Sequence, residues 1–302
     1  MTSILISGAN GFMGSALLEH FSALGKYVVG GLVRSKASCG ALPSRIQARH
    51  IRYETDDDLI AAITSFKPDV FLHTATYFHA EHSVADIPLM IDGVQRHGNI
   101  ILEALARCEK AVYFVNTGTS WQHFNNSAKY RAACLHSAHK EAFEKILEFY
   151  TENYQIKSTT LKIFDTYGCN DQRRKIVNLL VDSMLSNQPI QLSSGTQLID
   201  ITHVSDVARA FEAIIDWFFA GNDLLSSYGV SSGKEVSLRD LADQIRKIVN
   251  PGYNGLEWGV RPHRKNEVFT NWRDGMVPVP NWRPTVTIED GISSLMKSRQ
   301  GS

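Results

Sequence analysis

The chain of 302 residues has no apolar run near the roughly 20 residues a helix needs to cross a bilayer. It has no excess of either charge: 31 Lys and Arg face 31 Asp and Glu, for a formal net charge of zero. Neither nucleic acid nor an anionic membrane is therefore favoured as a bulk partner. Cysteine is scarce. Cys39, Cys108, Cys134 and Cys169 stand far apart with no C-x-x-C pair, which argues against a zinc site or redox motif and for reduced, packed thiols. No metal site is expected. Internal repeats and low-complexity tracts are missing, and a strand pattern begins where a charged, apolar, cleavable leader would stand. These absences lead to the expectation of a soluble, cytoplasmic protein. What is present is a 43% apolar fraction in a chain long enough for one large α/β domain with a smaller appendage.

Through the first half, short apolar runs alternate with longer helical patterns, the rhythm of a parallel sheet covered by helices. Strands are predicted at Ser3 to Ser7, Tyr27 to Val33, Ile46 to Ile51, Val70 to Thr74, Ala111 to Asn116 and Ser158 to Phe164. Helices are predicted near Phe12 to Leu24, Asp58 to Phe66, Leu89 to Cys108 and His136 to Asn153. Leu135, Ala138, Ala142, Ile146, Leu147 and Tyr150 recur at helical spacing, so the last of these packs one face inward. Six strands with intervening helices give a Rossmann-like, doubly wound α/β sheet. Beyond Tyr167 the rhythm weakens. Further helices are expected at Ile176 to Leu185, Val204 to Ala220 and Leu238 to Val249, and the stretch from Pro251 to Pro284 reads as irregular and loop-rich.

The first strand runs into Gly8-Ala9-Asn10-Gly11-Phe12-Met13-Gly14, and a helix pattern follows. Glycines at this spacing allow a tight turn, close backbone approach to a pyrophosphate, and close packing of helix on strand, while the helix N-terminus offers amide hydrogens to phosphate. A dinucleotide site is expected there, with Gly8, Asn10, Gly11, Phe12, Met13 and Gly14 as contacts. The second strand ends Val33-Arg34-Ser35 with no carboxylate. An acidic residue would bind a free ribose hydroxyl and a cation a 2′-phosphate, so Arg34 and Ser35 favour NADP, with NAD as the alternative.

The fifth strand closes on Val115-Asn116-Thr117, which puts Thr117 just past the carboxyl edge where such sheets bind ligands. His136 and Lys140, four apart at the start of a long helix, share a helix face. With these residues the chain resembles the extended short-chain dehydrogenase/reductases, in the NAD(P)-dependent sugar-nucleotide epimerase/dehydratase/reductase group. The glycine motif, Thr117, the x-x-x-Lys helix with Glu141 and Glu144, and Phe164-Asp165-Thr166-Tyr167-Gly168 fall in that group's order. So do Asp200 to Asp206, Arg264 ahead of Glu267, and Asn281-Trp282-Arg283-Pro284. The stretches Gly118 to Phe124 and Lys162 to Asp171 are most similar to the CDP-abequose synthase-like 4-ketohexose reductases.

The resemblance implies NADPH-dependent reduction of a 4-keto group on a nucleotide-diphosphate sugar, with a CDP-linked deoxysugar of lipopolysaccharide O-antigen biosynthesis as the expected substrate. It further implies that Thr117 polarises the ketone, Lys140 holds the nicotinamide ribose, and Ala75 and Phe164 add to the cofactor side. Arg264 is the expected diphosphate ligand, with Asn178 and Lys175 as weaker candidates. Asp200 and Asp206 are expected to support structure. One position departs from the pattern: the group carries Tyr-x-x-x-Lys, and His136 stands where the tyrosine would deliver a proton. Three possibilities follow. His136 is a working general acid; or Tyr130, Tyr77 or His79 substitutes; or the chain binds its ligands with little turnover. An epimerase or dehydratase holding NAD tightly is the alternative enzyme. Residues 1–167, with about 197–230, are assigned to the dinucleotide, and about 168–196 with 231–302 to a smaller, partly discontinuous α/β substrate domain. A homodimer through the Leu89 to Cys108 helix and the His136 helix is the family expectation.

Overall fold

The computed structural model of the chain describes residues 1–34 and 48–300. Apolar runs rich in Val, Ile and Phe become strands, and the periodic segments between them become helices. In chain order the first half comprises β1 (Thr2–Ser7), α1 (Phe12–Ala23), β2 (Tyr27–Arg34), β3 (Ala48–Tyr53), α2 (Asp56–Phe66) and β4 (Val70–His73). It continues with α3 (Asp86–Met90), α4 (His97–Ala106), β5 (Val112–Thr119), α5 (Leu135–Asn153) and β6 (Ile156–Ile163). The second half holds β7 (Asp165–Tyr167), α6 (Ile176–Ser186), β8 (Ile190–Gln191), β9 (Leu198–Ile199), β10 (Ile201–His203) and α7 (Val204–Phe219). It ends with β11 (Ser227–Val230), β12 (Val236–Ser237), α8 (Leu238–Val249), β13 (Leu256–Glu257) and α9 (Ile288–Gln300).

Seven strands form one parallel sheet in the order β11-β6-β5-β4-β1-β2-β3. The order reverses between β1 and β4, which opens a crevice at their carboxyl ends, the place where such sheets bind ligands. One face of the sheet buries Ile4, Ile6, Val115 and Leu161 against Leu17, Phe21, Phe211 and Ile215 of α1 and α7. The other buries Leu5, Phe71 and Phe114 against Ile101, Leu105, Phe143 and Leu147 of α4 and α5. A third cluster, with Tyr167, Val177, Leu180, Leu241, Ile245, Ile292 and Leu295, forms a smaller lobe.

The expected helix from Leu89 to Cys108 forms as one helical run, from the start of α3 at Asp86 to the end of α4 at Ala106, with a π-helical segment at Ile91–Arg96 between them. Within the π segment Gly93 lies so close to Tyr77 that a β-carbon there would stand 3.0 Å from the Tyr77 amide nitrogen. β5 also outruns its expected end and continues through Thr119. The sheet gains a seventh strand, β11, that six apolar runs did not announce. Leu198–Ile199 and Ile201–His203 pair with β12 and β7 in small separate sheets, and not with the large one.

Candidate active site

The glycine turn leaves β1 at Gly8, whose φ of +67° lies in the left-handed region, and the Gly11 amide donates to the Gly8 carbonyl at 2.9 Å. A β-carbon on Gly14 would stand 2.1 Å from the Gly8 oxygen, so only glycine lets α1 start this close to the strand. No side chain caps α1 at Gly11. Its first amides are therefore available to an anion, and the positive end of the helix favours one. Across the crevice, Ala75 lies within van der Waals reach of Gly8, 2.9 Å from where a β-carbon would be. The uncapped helix and the glycine-lined cradle fit a dinucleotide pyrophosphate.

On the far side of β4, α5 carries His136 and Lys140 on one face, both buried. His136 Nδ1 is 3.0 Å from the carbonyl oxygen of Tyr77. A carbonyl can only accept, so Nδ1 carries the hydrogen and Nε2 of the neutral ring presents a lone pair. Burial, followed by the charge of Lys140, pushes the imidazole down to about 3, against a smaller upward pull from the Tyr77 carbonyl. Lys140 is itself lowered to about 8 by burial, with Glu144 pulling the other way. Thr117 and Thr119 alternate onto one face of β5. Thr117 Oγ1 is closed off from solvent and has no hydrogen-bond partner. Thr119 is half-buried one pleat nearer the strand end, and its hydroxyl oxygen accepts from the Trp121 amide.

A wall of aromatic rings separates this helix from the smaller lobe. The Phe78 ring meets the His136 ring edge-on at 5.0 Å between centroids and lies 6.0 Å from Trp121. Two cations lie against these rings. Lys175 Nζ lies 4.5 Å from the Phe78 centroid and 5.5 Å from that of Trp121, and the Arg264 guanidinium carbon is 5.4 Å from Trp121. Buried Glu267 accepts two hydrogen bonds from the Arg264 side chain and fixes its orientation. Arg173, held by Asp171, places its guanidinium carbon 4.4 Å from the ring centroid of Phe12, over the glycine turn.

Residues 4–224 match the model of the NAD dependent epimerase/dehydratase family. The chain belongs to that family. It is 25% identical over 299 residues to the CDP-abequose synthase of Yersinia pseudotuberculosis, covering 98% of each chain. In fold it is similar to the UDP-glucose 4-epimerase of Thermotoga maritima, solved with UDP-glucose, with a TM-score of 0.83, 18% identity and 99% of each chain covered. It is likewise similar to the UDP-glucose 4-epimerase of Thermus thermophilus solved with NAD, with a TM-score of 0.80 and 21% identity over the whole of both chains. The epimerase/dehydratase family is one of NAD(P)-dependent enzymes of sugar-nucleotide chemistry. Among its described residues no helix is long and apolar enough to cross a membrane.

Tyr77 donates its phenol hydrogen to Asp86 at 2.7 Å, and the exposed His79 ring is bonded to the same carboxylate. Tyr130 is 47% exposed in the loop before α5. Asn178 is buried and gives its amide hydrogens to the carbonyls of Asp171 and Arg173, so its donors secure that turn. Phe164 is buried against Trp272. Arg34 ends β2 near Tyr53 and His97, whose rings stack at 5.9 Å. Ser35 and Cys39 lie outside the described residues. Asp200 is held by Arg273, Ser231 and the Ser232 amide, and Asp206 by the amides of Thr285 and Val286. The residues that sequence reasoning passed over are Phe78, Trp121, Arg173 and Thr119. Only the i, i+2 pair of threonines at a strand end gave a local signal.

Proposed function

We propose that the chain reduces the 4-keto group of a nucleotide-diphosphate-linked deoxysugar, CDP-linked in the first instance, with NADPH as reductant. The observation that carries this reading is the end-to-end similarity to CDP-abequose synthase, which spans both lobes. The cofactor supplies a hydride when bound. Gly8, Gly11, Gly14 and the first amides of α1 hold its pyrophosphate, Arg34 favours a 2′-phosphate, and Lys140 holds a ribose through its ammonium. Thr119, at the open end of β5, takes the carbonyl-polarising role expected of Thr117, because the Thr117 hydroxyl is shut away from solvent. Arg264, oriented by Glu267, meets the diphosphate, for which a planar guanidinium is suited. We further propose a homodimer built on α4 and α5.

The test is NADPH oxidation with CDP- and dTDP-linked 4-keto-6-deoxysugars. Sugar-dependent oxidation is the expected result, and its absence with both sugars overturns the reading. A second reading, a cofactor-binding protein with little turnover, is favoured by one observation. The position of the family phenol holds an imidazole with no proton to give at Nε2. Tight binding of NADPH and CDP without oxidation, by the native chain and by His136→Tyr alike, is its signature.

A further inference from the structure

Turning a ketone into an alcohol consumes a hydride at carbon and a proton at oxygen. His136 is badly suited to give that proton: its single hydrogen is committed to the Tyr77 carbonyl. Transfer from Lys140 to His136 would also run uphill, since burial and the Lys140 charge hold the imidazole well below the ammonium. Tyr77 and His79 are engaged with Asp86. A different donor faces the same aromatic wall.

We propose that Lys175, reaching across from the smaller lobe to the Phe78 and Trp121 rings beside His136, is the residue that protonates the substrate oxygen. This rests on the reductase reading above. The residue immediately precedes α6 and its ammonium lies against Phe78, the ring whose edge meets His136. The Asp165 carboxylate oxygen stands 3.8 Å from Nζ, an ion pair beyond direct hydrogen-bond reach, which leaves the ammonium hydrogens for a ligand to take up. Side-chain exposure of 27% leaves a route for solvent to restore the proton. The charged groups around it are Asp165 and Asp171, which favour the ammonium, Arg173 and Arg264, which oppose it, and neutral His136. Burial is the largest influence and lowers the pKa below the ordinary lysine value, which eases release of the proton. In the step, the carbonyl carbon gains the hydride and the C=O π pair moves onto oxygen. Oxygen takes H⁺ from Nζ, and the neutral amine is reprotonated by solvent. His136 Nε2 serves as an acceptor for a sugar hydroxyl.

The pH dependence of kcat for the native chain, Lys175→Met, Lys175→Arg and His136→Gln tests this. A donor must be protonated, so native kcat is level at low pH and falls as pH rises through the Lys175 pKa, and Lys140, lowered to about 8, adds an alkaline fall of its own. Lys175→Met is expected to lose about 10²-fold in kcat, the usual scale for a missing general acid, together with the Lys175 part of that alkaline limb. Lys175→Arg keeps the charge and KM but loses kcat, while His136→Gln loses rate without moving the limb. If both Lys175 variants raise KM and leave kcat intact, Lys175 is an anion ligand and the proposal fails. A readout independent of turnover is the Lys175 Nζ titration, followed by nitrogen-15 NMR with NADP⁺ and CDP bound. A depressed pKa that responds to CDP supports the proposal, and an ordinary lysine titration overturns it. Absence of reduction by the native chain overturns the reductase reading, and the NMR titration still decides whether Lys175 is poised to give a proton.

Discussion

An imidazole that stays neutral when folded but protonates when unfolded ties stability to pH. His136, lowered to about 3, is such a group, and buried His73 and His97 are lowered in the same direction, His97 to about 4. From about 6.5 down to about 3 the unfolded chain binds a proton at His136 that the folded chain refuses. Its contribution is therefore complete above about 6.5 and is lost as pH falls, at up to about 1.4 kcal/mol per unit. Urea midpoints measured from neutral to about pH 4 should decline less steeply for His136→Gln than for the native chain. Equal slopes would show that the folded ring takes up its proton normally. Thr119→Val should lower kcat by about 10²-fold, the scale for one lost oxyanion donor, and Thr117→Val should affect stability more than kcat. Arg34→Ala should weaken NADPH binding in fluorescence titration while leaving NADH binding nearly unchanged; an equal loss for both would remove Arg34 from cofactor choice.

Among the elements, the junction of β1 and α1 tolerates least change. Gly14→Ala would drive a methyl group into the Gly8 carbonyl. The turn must open, and affinity for NADP⁺ should fall on the order of tenfold or more by titration calorimetry. An unchanged affinity would place the pyrophosphate elsewhere. This junction was legible in the sequence because everything it needs is local: a strand, three glycines and a helix in the first 25 residues. β4 and β5 were legible for the same reason, as unbroken apolar runs. β11 was not, since Ser-Tyr-Gly-Val is short and carries a glycine, and its place is set by pairing with β6. The π segment was hidden too, because its apolar spacing is shared with an α-helix and the close approach of Gly93 to Tyr77 joins two separate segments. The aromatic wall is the extreme case. Phe78, Trp121 and Lys175 are contributed by three separated segments, and no periodicity along the chain joins them.

For the whole molecule, the exposed end of α5 bears on assembly. Phe149 is 54% exposed and packs edge-on against Tyr150 and Tyr154, beside a helix pair that otherwise buries its apolar side against the sheet. If α4 and α5 join two copies, Phe149→Asp should convert the dimer to monomer in sedimentation, with the far-ultraviolet circular dichroism unchanged. A native chain that sediments as a monomer at micromolar concentration removes the dimer. The third core cluster unites Tyr167 and Val177 with Ile292 and Leu295, so its interior is complete only after more than a hundred further residues have been made. Contacts so distant along the chain form late. During synthesis, six strands of the large sheet are in hand once Ile163 has emerged, while the lobe beside them still lacks its closing helix. The nascent chain thus gains its glycine turn and most of the large sheet before the smaller lobe, and α6 waits with an uncovered apolar side. Protease protection on stalled ribosomes should appear in that order, and the interval between the two is when the chain is most exposed to aggregation.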